Sequence, residues 1–522
     1  MKFSLRFIAT NCNRQIIQHL HIMATNKKTT PRAKVSIARL DSADAGLKNC
    51  TVRVRMYRHG LGDCFLLSFP RKKKDPFHML IDFGALNRDS KHMLQFAEEI
   101  ERATKRSGQA KSRLDLVVAT HEHKDHLSGF NQAREVFDRM DIGGVWMGWT
   151  EDPEDKEAQR LSAARGEAVS HLRAALDTPL GLAAAQGDGP LANVSHIMEL
   201  SDGDDAIGKR TIAEALEYLR QRGEKAGHIK YFEPGTGPLT LDGVEGVKVY
   251  VLGPPRGDLL LASHVTKKAQ EEEIVYHLRH ANDASLAANR AALPAAPGSF
   301  SSSETDKFHP FTREHRIKRG EIWWDAIESY IGKTYDKSGK EWRRIDEDWL
   351  GAFDQLALKL ADDTNNTSLV LAFEIVKTRE VLLFVGDAQV GNWQSWANVE
   401  FKLAGSDENL SAHDLLRRTV FYKVGHHASH NATLKKGGLE LMKSPKLVAF
   451  VPLDKATAAK QGKKDPETQK PRGWQMPAKA LYTALKQCTA DRIVISDASE
   501  PLSPAAKAAG VRAEPTYCEF KL

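Results

Sequence analysis

The chain has 522 residues, 41% hydrophobic and 27% charged, with 37 glycines, 21 prolines and five cysteines, a composition that excludes a collagen-like, low-complexity or disulfide-framework protein. One small core is excluded at this length, so a large fold with insertions, or two domains, is expected. The 75 Lys and Arg against 68 Asp and Glu leave a net charge of +7, which tolerates an acidic substrate without selecting one.

The cysteines (Cys12, Cys50, Cys64, Cys488 and Cys518) show no paired spacing, which argues against a zinc knuckle and fits a reducing, cytoplasmic location. No stretch approaches the ~20 apolar residues of a membrane span, so no membrane partner is expected. Residues 1–50 read as a disordered N-terminal tail, with Met23, ahead of a Lys/Thr/Ala-rich run, as an alternative start. From Thr51 the pattern changes. Val52–Tyr57 alternates like a half-buried strand, Gly60-Leu61-Gly62-Asp63 turns and Cys64–Phe69 returns, which predicts a hairpin. Arg71–Lys74 occupies the next turn, as a solvated cluster or a phosphate patch, and His78–Asp82 is the strand after it. Leu116–Thr120 reads as a buried strand, followed by Leu127, Phe130, Ala133, Val136 and Phe137 at helical spacing. Gly144–Trp149 is a short strand.

From Glu151 to about Arg222 the sequence is charged, Ala-rich and broken at Pro179, Gly187 and Gly203, which predicts helical cover inserted over residues 151–230. Val247–Pro255 returns to the sheet and closes a first half spanning 51–255. Residues 256–363 form a second predicted insertion. It is helical around Trp323 and Trp324 and again around Trp349, Phe353 and Leu356, with a low-complexity Ala/Ser/Pro stretch from Ala281 to Ser303 expected to be mobile. The sheet resumes over 364–500. Its strands are Ser368–Phe373, Val381–Val385 ending in Gly386-Asp387, Val420–Val424 ending in Gly425-His426-His427-Ala428-Ser429-His430, Lys446–Pro452 and, after a helix opened by Trp474-Gln475-Met476-Pro477, Arg492–Ser496. Residues 501–522 remain as a C-terminal extension.

The densest chemistry is His121-Glu122-His123-Lys124-Asp125-His126, four potential ligands within six residues directly after an apolar strand. His121 and His123, two apart in extended chain, face one side and can share a cation, while Asp125 and His126 open a helix and can face a second. Imidazole mixed with carboxylate suits zinc, manganese or iron. The bland alternative is a polar strand end with solvated histidines.

This string resembles the signature of the metallo-β-lactamase superfamily, and Ile81-Asp82-Phe83-Gly84 and the strand ending in Gly386-Asp387 match its flanking motifs. The resemblance implies an α/β fold, a four-layer αββα metallo-β-lactamase sandwich with helical insertions. It also implies a metal site of His121, His123, Asp125, His126 and Asp387, with Asp387 as the bridging carboxylate. The Gly-x-Gly-Asp hairpin, Leu252-Gly253-Pro254, the Asn-rich string at Asn365 and Asn366, and Lys423-Val424-Gly425-His426-His427 are similar to the soluble catalytic domain of competence DNA-uptake proteins. Two departures stand out. The usual third-motif histidine is replaced by Thr364, Asn365 and Asn366, and the late Gly-His-Pro histidine by Met476, so His426, His427 or His430 must complete the second site if it is complete. His427 is carried forward as the candidate ligand.

The implied activity is that of a metal-dependent hydrolase, a phosphodiesterase or nuclease with one or two Zn2+ ions, or Mn2+, in which metal lowers the pKa of water from about 15.7 toward 7. The resemblance gives Asp125 the orientation of the nucleophile, His426 the protonation of the leaving oxygen or a phosphate contact, and Lys423 a preference for phosphate. Asp82 and Glu122 fall outside the ligand set and are expected to hold histidine tautomers. The expected partner is nucleic acid or another phosphodiester. Hydrolysis of a lactone, thioester or β-lactam, and a degenerate binding module, are the alternatives.

Overall fold

The computed structural model describes residues 47, 50–72, 74–106, 108–176, 211–261, 322–334, 357, 360–403, 405, 409–461 and 473–522. The expected tail apart from Leu47 and Cys50, the alternative start, residues 177–210 of the first insertion, the 281–303 stretch and the pattern around Trp349, Phe353 and Leu356 lie outside these residues. The helix expected around Trp323 and Trp324 is present at Ile322–Thr334.

The protein is mixed α/β, built on two large sheets. The first is assembled from β1 (Arg53–Tyr57), β2 (Phe65–Arg71), β3 (Lys74–Ile81), β4 (Leu116–Val118), β5 (Val145–Gly148) and β6 (Ile229–Phe232). The second contains β7 (Val247–Gly253), β8 (Val370–Ile375), β9 (Glu380–Phe384), β10 (Thr419–Lys423), β11 (Val448–Val451) and β12 (Ile493–Ile495). The chain then returns to the first sheet with β13 (Arg512–Ala513) and β14 (Tyr517–Lys521). The orders are β13-β14-β1-β2-β3-β4-β5-β6 and β12-β11-β10-β9-β8-β7. Each sheet is antiparallel on one side and parallel on the other, the change falling at β3/β4 in the first and at β9/β10 in the second.

Strand alternation sorts the side chains. Val54, Phe65, Phe69, Met79 and Val118 of the first sheet share one apolar core with Val249, Leu371, Phe373, Phe384, Phe421 and Phe450 of the second. Phe65 and Phe384 meet edge to face across it, with ring centroids 5.6 Å apart. Residues of the opposite parity, among them Leu66, Leu80, Val117 and Met147, pack on α1 (Ser90–Ala103), α2 (Lys124–Gln132), α3 (Arg134–Arg139) and α5 (Ile212–Lys225). The helix α4 (Lys156–Leu176) lies between α3 and α5 in sequence. The outward set of the second sheet, including Ala372, Leu383, Tyr422 and Val451, packs on α7 (Val390–Ser395), α8 (Ala412–Arg417) and α9 (Lys479–Thr489), with Ile322–Thr334 as α6.

Two placements depart from the sequence reading. β7, expected with the first half, hydrogen-bonds to β8 and so belongs to the second sheet. Residues 501–522 are not an appendage, because β14 pairs with β1 from Arg53↔Lys521 to Tyr57↔Tyr517 and fills an edge that β1 would otherwise leave open.

Candidate metal centre

Strand direction gathers the candidate residues at one edge. β3 and β4 run parallel and end beside each other, delivering Asp82 and His121, while β9 and β10 do the same for Asp387 and for Lys423 to His427. The loop after β4 is clamped from both sides. Asp63 N–H donates to Asp125 O at 2.9 Å, Phe83 N–H to His126 O at 2.7 Å and Gly129 N–H to Phe83 O at 2.9 Å. Glycine is required at 84, where a Cβ would lie 2.4 Å from Lys124 O and 2.5 Å from His126 N. That close approach explains the Asp-x-Gly turn. Leu369 N–H donates to Thr120 O at 2.9 Å and ties the second sheet to the same loop.

His121, His123, Asp125, His126, Asp387, Lys423 and His427 are all buried here, and His426 is half-buried beside them. His121 Nε2 and His123 Nδ1 converge to 3.1 Å. His126 turns Nδ1 to Asp82 Oδ2 at 2.8 Å and Nε2 toward Asp387 Oδ2 at 3.2 Å, the second contact too misaligned to be a hydrogen bond. His427 bonds Pro452 O through Nδ1 at 2.5 Å and Asp125 Oδ2 through Nε2 at 2.9 Å. Three overlapping triads of donor atoms could each hold a metal ion: His121/His126/Asp387, Asp125/Asp387/His427 and Asp63/Asp82/His126, with the atoms in each within 4.8 Å of one another.

Nε2 of His123, Nε2 of His126, Oδ1 of Asp125 and Oδ2 of Asp387 are buried without a hydrogen-bond partner. Buried polar atoms are ordinarily paired, so the unpaired lone pairs of His123, Asp125 and Asp387, which Nε2 of His126 joins on losing its proton, form an arrangement that a cation satisfies. The electrostatics agree. Burial, helped by His126, pushes His121 well below the ordinary imidazole value and holds His123 down at about 4. Burial resists charge on Asp125 and Asp387, but His126 and, for Asp387, Lys423 outweigh it and keep both carboxylates below their usual range. His126 runs the other way: burial lowers it, while Asp387, Asp63 and Asp82 overcome burial and raise it well above the ordinary value. Against burial, the Asp125 carboxylate raises His427 in the same way, while burial lifts Asp63 to about 6 despite Lys423 and His126. Neutral His121 and His123 with ionised Asp125 and Asp387 are the protonation states that metal ligation needs.

The other expected roles divide. Asp82 does orient a histidine, accepting from Thr120 N–H at 2.8 Å, from Thr120 Oγ1 at 2.7 Å and bonding His126 Nδ1. Glu122 departs from expectation, because its carboxylate is drawn out of the cluster into an ion pair with Arg165 of α4. Lys423 departs as well. Its ammonium bonds Gly386 O at 2.5 Å, Asp387 Oδ1 at 3.2 Å and, closest, Asp63, with the side chain 2% exposed, so it braces Asp387 instead of meeting a phosphate. His426 N–H donates to the same Asp387 Oδ1 at 2.8 Å, which leaves Oδ2 as the free oxygen of that carboxylate. His426, His427 and Ala428 all have positive φ (43°, 51° and 61°), a strained run that aims two successive imidazoles differently. His426 Nδ1 lies 2.9 Å from Ser429 Oγ and 3.3 Å from Gln389 Nε2. Trp474 and Met476, where the late histidine is missing, pack on the apolar core of the second sheet, and Ala478 N–H donates to Ala428 O at 2.8 Å.

Sequence reasoning missed Asp63, Ser368 and Gln389. Ser368 Oγ accepts from Asp387 N–H at 3.0 Å and lies 3.3 Å from His121 Nδ1. The Gly-x-Gly-Asp turn signalled Asp63; nothing local signalled the others. No family model, curated protein or solved structure matches the chain. Among the described residues no helix is long and apolar enough to cross a membrane.

Proposed function

We propose that this protein is a metal-dependent hydrolase of the metallo-β-lactamase type, its two sheets and flanking helices forming a four-layer αββα sandwich, and that it cleaves phosphodiester bonds in nucleic acid or a smaller ester. The observation that carries the reading is the set of four unpartnered, buried ligand atoms on His123, Asp125, His126 and Asp387. His121, His126 and Asp387 would hold one ion, with the unpaired Nε2 of His123 beside them, and Asp125, Asp387 and His427 a second, with His427 standing in for the histidine missing at Met476. Zn2+ is the ion the donor mixture suits, with Mn2+ next. When bound, the metal supplies Lewis acidity toward a phosphoryl oxygen and acidifies water.

The chain's own residues do the rest. Asp82 fixes the His126 ring, Lys423 fixes Asp387, the Pro452 carbonyl fixes the His427 ring through Nδ1, and Asp125 faces the cluster with its free Oδ1. His426 stands at the rim, half-buried, with Nδ1 engaged by the protein, which favours Nε2 as the nitrogen that meets a leaving oxygen. Burial and the neighbouring His427 hold it below the ordinary imidazole value, against the pull of Asp387.

Two measurements test the reading. Protein isolated without chelator should carry about one to two equivalents of transition metal and turn over bis(p-nitrophenyl)phosphate; absence of metal removes the hydrolase assignment. His426→Ala should slow cleavage of a DNA or RNA linkage by ~10²–10⁴-fold while sparing the p-nitrophenyl diester, whose phenolate leaves unprotonated. Turnover of a lactone or thioester with neither phosphodiester cleaved would replace phosphoryl by acyl chemistry.

A further inference from the structure

We infer that Arg165, on the helix inserted between β5 and β6, is a positioning residue that sets the His121–His123 ligand loop by gripping Glu122. The inference rests on the metal-binding reading of that loop. His123 N–H donates to His121 O at 3.1 Å, a tight turn with Glu122 at its apex. The two imidazoles go inward to the cluster, and the Glu122 carboxylate goes the other way to the Arg165 guanidinium, the pair being 16% and 14% exposed. Glu122 is therefore the outward handle of a turn whose two flanking residues are candidate ligands.

Arg165 sits in an acidic setting on an anchored helix. Glu151, 5% exposed, adds a second negative charge beside it, and Arg220 of α5 reaches Glu151 O at 2.9 Å. α4 is anchored at its start, where Asp155 Oδ1 accepts from Glu157 N–H at 2.8 Å and Ala158 N–H at 2.9 Å. Arg256 clamps the same turn through Asp155 at 2.7 Å and Glu157 at 3.0 Å, with its guanidinium 3.9 Å over the Trp149 ring. Trp149, Ala158 and Leu260 bury a small apolar cluster under it. The Glu122–Arg165 pair therefore ties the outer side of the ligand turn to a helix anchored at its start, adding to the backbone clamps that hold the inner side. What sequence pattern presents as surface cover is thereby a strut for the candidate metal centre.

Outer-shell partners of metal ligands typically contribute ~10–100-fold to metal affinity. Zn2+ affinity, read by competition with a chromophoric chelator on the full chain, should fall by about that factor in Glu122→Gln and in Arg165→Met. The double variant should bind no worse than Arg165→Met alone, since the two side chains act as one unit. Arg165→Lys should recover part of the loss. Arg165→Lys, which keeps a positive charge opposite Glu122, should hold the metal-free melting temperature near wild type while Zn2+ affinity stays partly reduced, which separates positioning from general stability. If Arg165→Met does not fold, Glu122→Gln and Arg165→Lys carry the same test. Unchanged Zn2+ affinity in the variants, losses that multiply in the double variant, or a metal-free melting temperature of Arg165→Lys that falls in step with affinity each overturn the inference while wild type still binds Zn2+. Wild-type protein that takes up no Zn2+ overturns the metal reading, and this inference with it.

Discussion

Lys423 puts a buried ammonium between Asp63, Asp387 and the Gly386 carbonyl, and so does for those carboxylates what water would do at the surface. Burial alone would drive its proton off, but Asp63 and Asp387 outweigh burial and hold Lys423 above its ordinary value. Removing one partner of such a buried group costs ~3–5 kcal/mol because the other charges are stranded. Lys423→Met should therefore lower the metal-free melting temperature sharply, and adding Asp63→Asn should restore part of it. A variant that melts like wild type and merely raises KM would return Lys423 to the role of a substrate contact. Asp387→Asn, which keeps the size and can still accept from His426 N–H, should abolish metal uptake yet melt cooperatively; retained metal would take Asp387 out of the ligand set. The His121–His126 cluster was legible because four donors crowd one short stretch, as was the Gly386-Asp387 turn. Asp63 was signalled only as the end of a Gly-x-Gly-Asp turn, and Ser368, Gln389 and Arg165 not at all, since each takes its role from a partner that only the folded chain brings near.

β4 illustrates the same division at the level of the element. Its apolar run from Leu116 and the ligands that follow it mark both strand and site, but the residue that anchors its start reads as an ordinary surface acid. Asp115 accepts from Arg106 at 2.8 Å, Arg113 at 3.1 Å and His78 N–H at 3.0 Å, with Arg71 at 3.1 Å. Burial works to raise its pKa, but the His78 N–H and the arginines Arg71, Arg106 and Arg113 prevail and lower it. The linkage follows directly. With the folded value below the unfolded one of about 3.9, the stabilisation is full at neutral pH. It fades as pH falls below the unfolded value and is gone once the folded value is passed. Asp115→Asn should cost on the order of 3 kcal/mol at pH 7, and its stability deficit should shrink in acid. A deficit constant from pH 7 down to acid unfolding would show that Asp115 acts by packing and not by charge. Sheet membership was the least legible property of the strands. β7 and β14 have unremarkable strand patterns, and which sheet each joins is decided by long-range pairing that no local window contains.

At the scale of the molecule, two sheets meet through one apolar core and share one polar edge, and each depends on the other there: Lys423 reaches Asp63, His427 reaches Asp125 and Asp387 lies against His126. A cation shared by both sheets would stabilise the whole fold by mass action, by about 2.7 kcal/mol at a free concentration of 100 Kd. Chelation should accordingly lower the melting temperature of the native protein, and Zn2+ should restore it; indifference to both would mean that no ion bridges the sheets.

The pairing of β14 with β1 carries a consequence for biosynthesis. Arg55 donates to Glu519 at 2.8 Å across 464 positions of sequence, so the neighbour of the first strand leaves the ribosome only after nearly everything between them. Until then no other described strand pairs with that edge of β1, a state open to mispairing and to chaperone capture. Translation arrested before Tyr517 should yield a nascent polypeptide cleaved by protease within its first strands, and arrest beyond Leu522, with a linker long enough to clear the exit tunnel, should protect them. Equal protection at both points would mean that the first sheet closes during translation without its final strand.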